Sequence, residues 1–416
     1  MPGPGERWRR GWARPGTEPR RRGRRPSPAA FRRWGPAALG ILAALLLAVE
    51  LMVTGGGGGE GPIAPEHAVR AQREAHPVRF TVSFSGDLLI HAPVWERALA
   101  LGGGRGYDFA GELRELKPYV AGADLGICHV ETPMTPGPPA SYPIFNTPPA
   151  LAEGIRATGW DACDTASNHS LDQGQTGVDM TGRALDRAGV DHTGSAPSAA
   201  ARRTPLLLRP EHVRVAFLAY TTDTNGIPLP RRWTVNVASR GRILADARRA
   251  RKLGAKAVIV NLHWGGEIAP EYQAQPSPGQ LALVKRLTAS PLITAIVGQG
   301  PHVVQPIERI NGKFVIFSEG NLISNQSPEA GLPASSQDGI VVLLDCVAGG
   351  RGVRVAGVRY VPVFVSHPDY TVMPIGRALA EGEGDASALR DSYRRTVSVV
   401  GRGRRIEPVP ASLPGG

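Results

Sequence analysis

The chain has 416 residues, enough for one large domain or two ordinary ones, and its 42% hydrophobic and 20% charged residues suit a globular protein. A net charge of +12 points first to nucleic acid, but residues 1–34 hold eleven arginines against Glu6 and Glu18, leaving about +3 on the other 382 residues. No basic-aromatic stripe occurs in that remainder, so nucleic-acid binding is set aside.

Residues 1–34, rich in Arg, Pro and Gly, read as a disordered cytoplasmic tail. Residues 35–54 form an apolar run interrupted only by Glu50, long enough to cross a hydrocarbon core. With arginine before the run and no small-x-small cleavage site after it, the run is expected to be an uncleaved signal-anchor. It would form a single transmembrane helix with the large domain extracellular. The glycines at 55–59 open a flexible tether that extends to residue 77. A domain is expected over 78–370, followed by a C-terminal helix and a Gly/Arg/Pro tail over 371–416. Three cysteines with no close spacing argue against a disulfide framework and against a Cys-based zinc site. Cys128 and Cys163 fall in apolar runs and read as small buried hydrophobes.

Strands are expected at 79–85, 124–130, 213–220, 256–262 and 292–297, the later ones as continuous apolar runs of the kind buried on both faces. Between them lie helical patterns at 95–101, 109–120, 148–158, 177–188, 243–254 and 278–289. Strands with hairpin turns follow at 303–310, 313–318, 339–346 and 353–364, with Asn311-Gly312 a strong turn signal. Alternating strands and helices followed by a strand-rich section imply one α/β domain with mixed sheets.

The polar candidates cluster by position. Asp87, Glu131, Asn168-His169, His263 and His302 each follow an apolar strand-like run, which would gather them at one sheet edge, where α/β proteins hold ligands. Two carboxylates, an amide oxygen and three imidazoles form a mixed N/O set suited to Zn, Mn or Fe, as one or two ions. Two metals about 4 Å apart would clamp a phosphoryl group and activate a water. His91, four residues beyond Asp87, is a candidate general acid. Taken singly, each residue has a plainer explanation as a turn, cap or core residue; the repetition after five strands favours the metal.

Gly86-Asp87, Asp124 through Glu131-Thr132-Pro133, Ser167-Asn168-His169 with Leu171-Asp172-Gln173-Gly174, Leu262-His263-Trp264-Gly265, Gly298-Gln299-Gly300-Pro301-His302-Val303 and Phe317-Ser318-Glu319-Gly320-Asn321-Leu322 resemble, in order, the motifs of the CapA family. These are capsule-synthesis proteins associated with poly-γ-glutamate and related to calcineurin-like metallophosphoesterases. The resemblance covers roughly 79–325 and implies a layered α/β/β/α sandwich behind the membrane anchor. It implies a divalent metal at Asp87, Glu131, Asn168, His169, His263 and His302. Beside these, His91 and Asp172 are the catalytic candidates. It also implies an anionic polymer or phosphorylated small substrate and partners among capsule ligase and export subunits. Two positions depart from the family pattern: His129 stands where Asn is usual, and Gln299 where His is frequent. Gln is a poorer transition-metal ligand than imidazole. The expected function is therefore a metal-dependent phosphoesterase-type step in envelope polymer synthesis, with a non-catalytic polymer-binding or assembly subunit as the alternative.

Overall fold

The computed structural model describes residues 77–350 and 352–413. Fifteen strands are assigned among them: β1 (Val78–Leu88), β2 (Leu125–Val130), β3 (Ala162–Asp164), β4 (Asp191–Thr193), β5 (Leu206–Leu208), β6 (Val215–Thr221), β7 (Ala257–His263), β8 (Ala295–Gln299), β9 (Ile307–Ile310), β10 (Lys313–Ile316), β11 (Asn321–Ile323), β12 (Asp338–Gly349), β13 (Gly352–Val365), β14 (Val372–Pro374) and β15 (Ile406–Pro408). They form two mixed sheets. The first runs β14-β13-β12-β1-β2-β3-β4, with β11 beside β1 and β15 beside β13. In it β1 to β4 are parallel, while β12 and β13 pair antiparallel. The second sheet runs β5-β6-β7-β8-β10-β9, parallel at its centre with antiparallel edges.

Period-2 alternation decides which residues meet. Phe80, Val82 and Phe84 of β1 share a core with Phe217 of β6, Ile259 of β7 and Val297 of β8, so the two sheets pack face to face. On the outer face of the first sheet, Val130 and Cys163 pack with Val94, Leu113 and Ile155 of the flanking helices. On the outer face of the second, Val258, Val260 and Leu262 pack against Ile243, Ala247, Val284 and Leu287. The layers are therefore helices, sheet, sheet, helices, an α/β sandwich with mixed sheets as expected. Side-chain caps fix the helix starts on the second sheet: Ser239 accepts from Arg242 N, and Ser277 with Gln280 forms a reciprocal capping box.

Several local expectations change. The helix expected over 109–120 is broken into Phe109–Leu113 and Lys117–Val120 by a 3-10 turn at Arg114–Leu116, with Pro118 at the start of the second piece. The strand expected from Val303 begins only at Ile307, because His302 sits at φ 58° and diverts the chain. Cys128 and Cys163 are not free: they are directly opposed on parallel β2 and β3 and form a disulfide. A helical crossover separates the two strands, so the pairing across 35 residues leaves no trace in sequence spacing. Residues beyond 371 join the first sheet through β14 and β15, and Asp338 of β12 accepts from Arg395 and Ser392 of the helix Ala386–Val400. No helix among the described residues is long and apolar enough to cross a membrane; the tail, the apolar run at 35–54 and nearly all of the tether lie outside them.

Candidate metal centre

The alternation that builds the inter-sheet core also builds the site. Along β2, Leu125 and Ile127 enter that core and His129 continues their face, with Glu131 two residues further. Along β7, Ala257 and Ile259 lead to Asn261 and His263; along β8, Ala295 and Val297 lead to Gln299; along β3, Ala162 leads to Asp164. At the carboxyl ends of the parallel strands, apolar packing thus gives way to polar side chains that remain buried. Asp87 reaches the same face after a register irregularity between Phe84 and Asp87. Gly86 permits this approach, since a Cβ there would collide with the Gly320 carbonyl, whose oxygen accepts from Asp87 N at 3.1 Å.

Two ligand groups share one carboxylate. Asp87, His129 and His263 form the first, and Asp87, Glu131 and His302 the second; within each group the ligand atoms lie within 4.8 Å of one another. In the first, Asp87 Oδ1 is 3.6 Å from His129 Nε2 and 4.0 Å from His263 Nδ1. In the second, Asp87 Oδ2 is 3.2 Å from His302 Nδ1, and Glu131 Oε1 is 3.9 Å from His302 Nε2. Glu131 Oε1 is also 3.9 Å from His263 Nε2, which links the groups a second time. Asp87 Oδ1, both Glu131 oxygens and Asn168 Oδ1 are buried without a hydrogen-bond partner. Buried polar atoms are normally satisfied. Oxygens left open beside imidazoles fit a divalent cation, and the donor chemistry fits Zn, Mn or Fe. Asp87 Oδ1 lies near the His129 and His263 imidazoles and Oδ2 near His302, so this carboxylate would help hold an ion in either group.

Behind the ligands runs a second layer. His129 Nδ1 donates to Asp164 Oδ2 at 2.8 Å, and Asn261 Nδ2 also donates to that oxygen at 2.6 Å. Gln299 is used up in this layer: its Oε1 accepts from Asn261, and its Nε2 donates to Asn261 Oδ1 and to Glu319 Oε2. Asn321 Oδ1 accepts from His302 Nδ1 at 3.0 Å. The carboxylate behind His129 and the amide behind His302 fix the orientation of these two imidazoles and leave Nε2 of each for an ion.

Six metal candidates were expected from sequence, and Asp87, Glu131, His263 and His302 fall within the two ligand groups. Asn168 and His169 fall outside the two groups; Asn168 Oδ1 is buried without a hydrogen-bond partner, and its Nδ2 donates to Asn225 Oδ1. His169 hydrogen-bonds through Nδ1 to Asp172 Oδ2 at 2.8 Å, and its ring lies 4.7 Å from Phe145. Asp172 also accepts from Phe145 N, so it is placed behind His169 as an orienting group. His91 Nδ1 is 3.2 Å from Asn325 N, and its imidazole is depressed to about 4, first by burial and then by the neighbouring His302. It is neutral at physiological pH and offers a hydrogen bond rather than an imidazolium proton. The site residues beyond those six are His129 with Asp164 behind it, Asn261 and Glu319 around Gln299, and Asn321 behind His302. Period-2 spacing from Ile127 would have placed His129, and from Ile259 Asn261.

Electrostatics show what the site lacks. Burial alone would lower His129 and His302, but Asp164, Asp87 and Glu131 outweigh it and bring His129 up to about 9; Glu131 and Asp87 bring His302 up to about 10. Glu131 is pushed up to about 7, first by burial and then by Asp87. His263 is held well below its ordinary value by burial and by the positive histidines around it. His129 Nε2 and His263 Nδ1 lie 2.9 Å apart, within hydrogen-bonding distance of each other. These raised values mark a negative field around Asp87 and Glu131, which a divalent cation would neutralise in competition with protons.

Fold and site together define an α/β sandwich protein with a buried candidate metal centre at the carboxyl ends of two facing sheets. The family described as "Bacterial capsule synthesis protein PGA_cap" matches residues 81–326, and the chain belongs to it. It is similar to a "Capsule biosynthesis protein CapA" of Bacillus anthracis, 24% identical over 62% of this chain and 63% of the relative. It is also similar to a "Probable polyglutamine synthesis accessory protein" of Mycobacterium tuberculosis, 29% identical over 39% of this chain and 45% of that one. The chain thus spans less than two thirds of these curated relatives. Among solved structures it is similar to the calcineurin-like phosphoesterase YfkN from Bacillus subtilis, with 15% identity, a TM-score of 0.44 and coverage of 77% of this chain and 98% of that one.

Proposed function

We propose that the chain is a membrane-anchored, extracytoplasmic protein of capsule or envelope polymer synthesis, of the poly-γ-glutamate type, carrying a metal-dependent phosphoesterase-like site. The observation that supports this most is the pair of ligand groups joined through Asp87, with open carboxylate oxygens in each. Two divalent ions held there would supply positive charge to a phosphoryl group and lower the pKa of a water. The chain's own residues do the rest. Asp87 and Glu131 set the charge of the centre, while Asp164 and Asn321 hold the imidazoles of His129 and His302 in register. Asn168 and His169 present a further amide oxygen and imidazole at its mouth, the latter steadied by Asp172. His91, neutral, is suited to donate a hydrogen bond to substrate. The substrate would be an anionic polymer or a phosphorylated small molecule, and the partners ligase and export subunits of the polymer machinery.

The Cys128–Cys163 disulfide supports the extracytoplasmic placement, because disulfides persist in oxidising compartments. Alkylation of the denatured, unreduced protein recovered from cells should label Cys346 alone; labelling of all three cysteines would remove this support. For the site itself, the full-length protein purified from Zn- or Mn-supplemented medium is expected to carry stoichiometric metal and to hydrolyse a generic phosphodiester. Metal-free protein under those conditions would refute the reading.

A second reading has its own observation. Every polar atom of Gln299 is engaged with Asn261 and Glu319, so it offers no ligand atom, which favours a weaker second ion and a polymer-binding or assembly role without turnover. Polymer production in cells carrying His169→Ala or His263→Ala separates the two. Loss in both supports the metal-dependent step, and normal production in both supports the assembly role.

A further inference from the structure

The opposite ends of the same strands carry an unclaimed feature. A cleft of about 370 Å³ is lined by Arg251, Lys256, Arg309, Lys313, Arg354 and Arg405, with no carboxylate in its lining. Its cations have been drawn together without counter-ions. Arg251 donates to the Leu292 and Ala255 carbonyls, Lys313 to the Thr288 and Ser290 carbonyls, and Arg309 to the Gly312 carbonyl. Burial, and then the nearby Arg251, depress Lys313. A neighbouring cleft of about 530 Å³ shares Lys256 with the first, adds Arg209 and Arg214, and again contains no carboxylate. A third opening that shares Arg405 is different: there Arg79 and Arg359 meet Asp124, Asp345 and Glu407, so its charge is balanced where that of the first two is not.

We propose that this basic pole is a docking surface for a membrane rich in anionic phospholipid, and that it stands the domain on the bilayer with the metal centre facing away. Three observations choose a membrane over a soluble polyanion. Val78, where β1 begins, lines the second cleft, so the chain enters the domain at this pole. The apolar run at 35–54 lies only 23 residues upstream of residue 78, a tether of at most about 80 Å. Val78 and Leu253 are 40% and 48% exposed, and Leu253 adjoins Gly254 and its carbonyl accepts from Arg214; large apolar side chains among cations suit a lipid interface. His263 ends β7 and Lys256 precedes it, which sets the metal centre roughly 23 Å from the basic pole at about 3.3 Å per residue.

The proposal rests on the anchored reading, and its test separates the two. The full chain and its Lys256→Glu/Arg309→Glu/Arg354→Glu variant, none of whose changes touches the metal centre, are reconstituted in phosphatidylcholine vesicles with and without phosphatidylglycerol. Amide exchange at 307–316 and 352–356 is then measured. Slower exchange is expected with phosphatidylglycerol only, reversed by salt and by the variant on the order of tenfold or more, since each basic residue near an anionic surface is worth about fivefold. Equal exchange in both lipids would overturn the proposal. So would equal protection by soluble polyglutamate over neutral vesicles, which would make the pole a polymer site. Alkaline washing reads the anchor separately. If it releases the chain, anchoring fails, and co-sedimentation of the released chain with phosphatidylglycerol vesicles then decides the docking surface, binding upholding it and its absence overturning it.

Discussion

His263 and Lys256 sit at the two ends of one strand, yet the poles they mark treat charge in opposite ways. At the carboxyl pole Asp87, Glu131, His129 and His302 are fully buried, and their charges can be balanced only from within, by protons or by a bound cation. At the amino pole the cations are exposed or half-buried, and water and salt screen them over about 8 Å. Burial converts a cluster of like groups from a surface property into a demand for one particular ligand. Interactions at the first pole should therefore be strong, specific and pH-dependent, and those at the second weak, additive and salt-dependent.

The largest effect should come from Asp87, the residue common to both ligand groups. Asp87→Ala is expected to lower zinc or manganese affinity by more than the roughly 10–100-fold typical of a supporting residue, and to remove both ions together. Calorimetry with metal analysis would show this; a variant that keeps one full equivalent of metal would mean that the groups are independent.

Next in size is the pH response. In the metal-free protein His129 stands at about 9 and His302 at about 10 against 6.5 for the free side chain, and Glu131 at about 7 against 4.5. The folded state therefore binds more protons than the unfolded one, and stability falls as pH rises. The histidine contribution is complete below about 6.5 and is lost as pH climbs through 9 to 10, while Glu131 acts in the same direction from about 4.5 upward. His263, held low, is neutral in both states above about 6.5 and does not enter. The melting temperature of the metal-free protein should thus drop between about pH 6.5 and about pH 9. Metal affinity should rise over that range, by up to roughly tenfold per pH unit for each proton displaced. A metal-free melting temperature that rises with pH would show that the site's field is not negative.

Asp164 tests the layer behind. Asp164→Asn keeps the shape but removes the charge that His129 Nδ1 leans on. It should cost about 10–100-fold in metal affinity, with a smaller loss from Asn321→Ala behind His302. It should also lower the pH at which affinity levels off, because His129 loses the neighbour that most raises it. A loss of affinity with the pH midpoint unmoved would reduce Asp164 to a packing role.

The same contrast explains what was legible in the sequence. Strand-end polar residues announce themselves because an apolar run must end somewhere, so Asp87, Glu131, His263 and His302 could be named from pattern alone, as could the α/β class. His129 lies inside β2 and Asp164 closes the three-residue β3, and both continue faces on which the expectation is core. Only the facing of the two sheets, a long-range event, makes that core polar at one end. The Cys128–Cys163 pairing depends on β2 and β3 being neighbours in register, which spacing does not encode. The basic pole is assembled from segments spread between Arg209 and Arg405, whose short charge runs at 248–252 and 402–405 read locally as a solvated helix face and a tail. It therefore stayed hidden, while the arginine-rich tail, a local feature, dominated the composition.

The smallest predicted effect is a single change at that pole. Lys256 is exposed, lines both basic clefts and lies at the far end of β7 from His263. Lys256→Ala should weaken association with phosphatidylglycerol vesicles by about fivefold and vanish as an effect in high salt, because one screened charge is removed from several. The same substitution should leave metal affinity unchanged, since roughly 23 Å spans well over two Debye lengths at physiological ionic strength. Were metal affinity to move with Lys256, the strands between the poles would be transmitting strain rather than standing as an inert spacer, and the two ends would have to be treated as one coupled system.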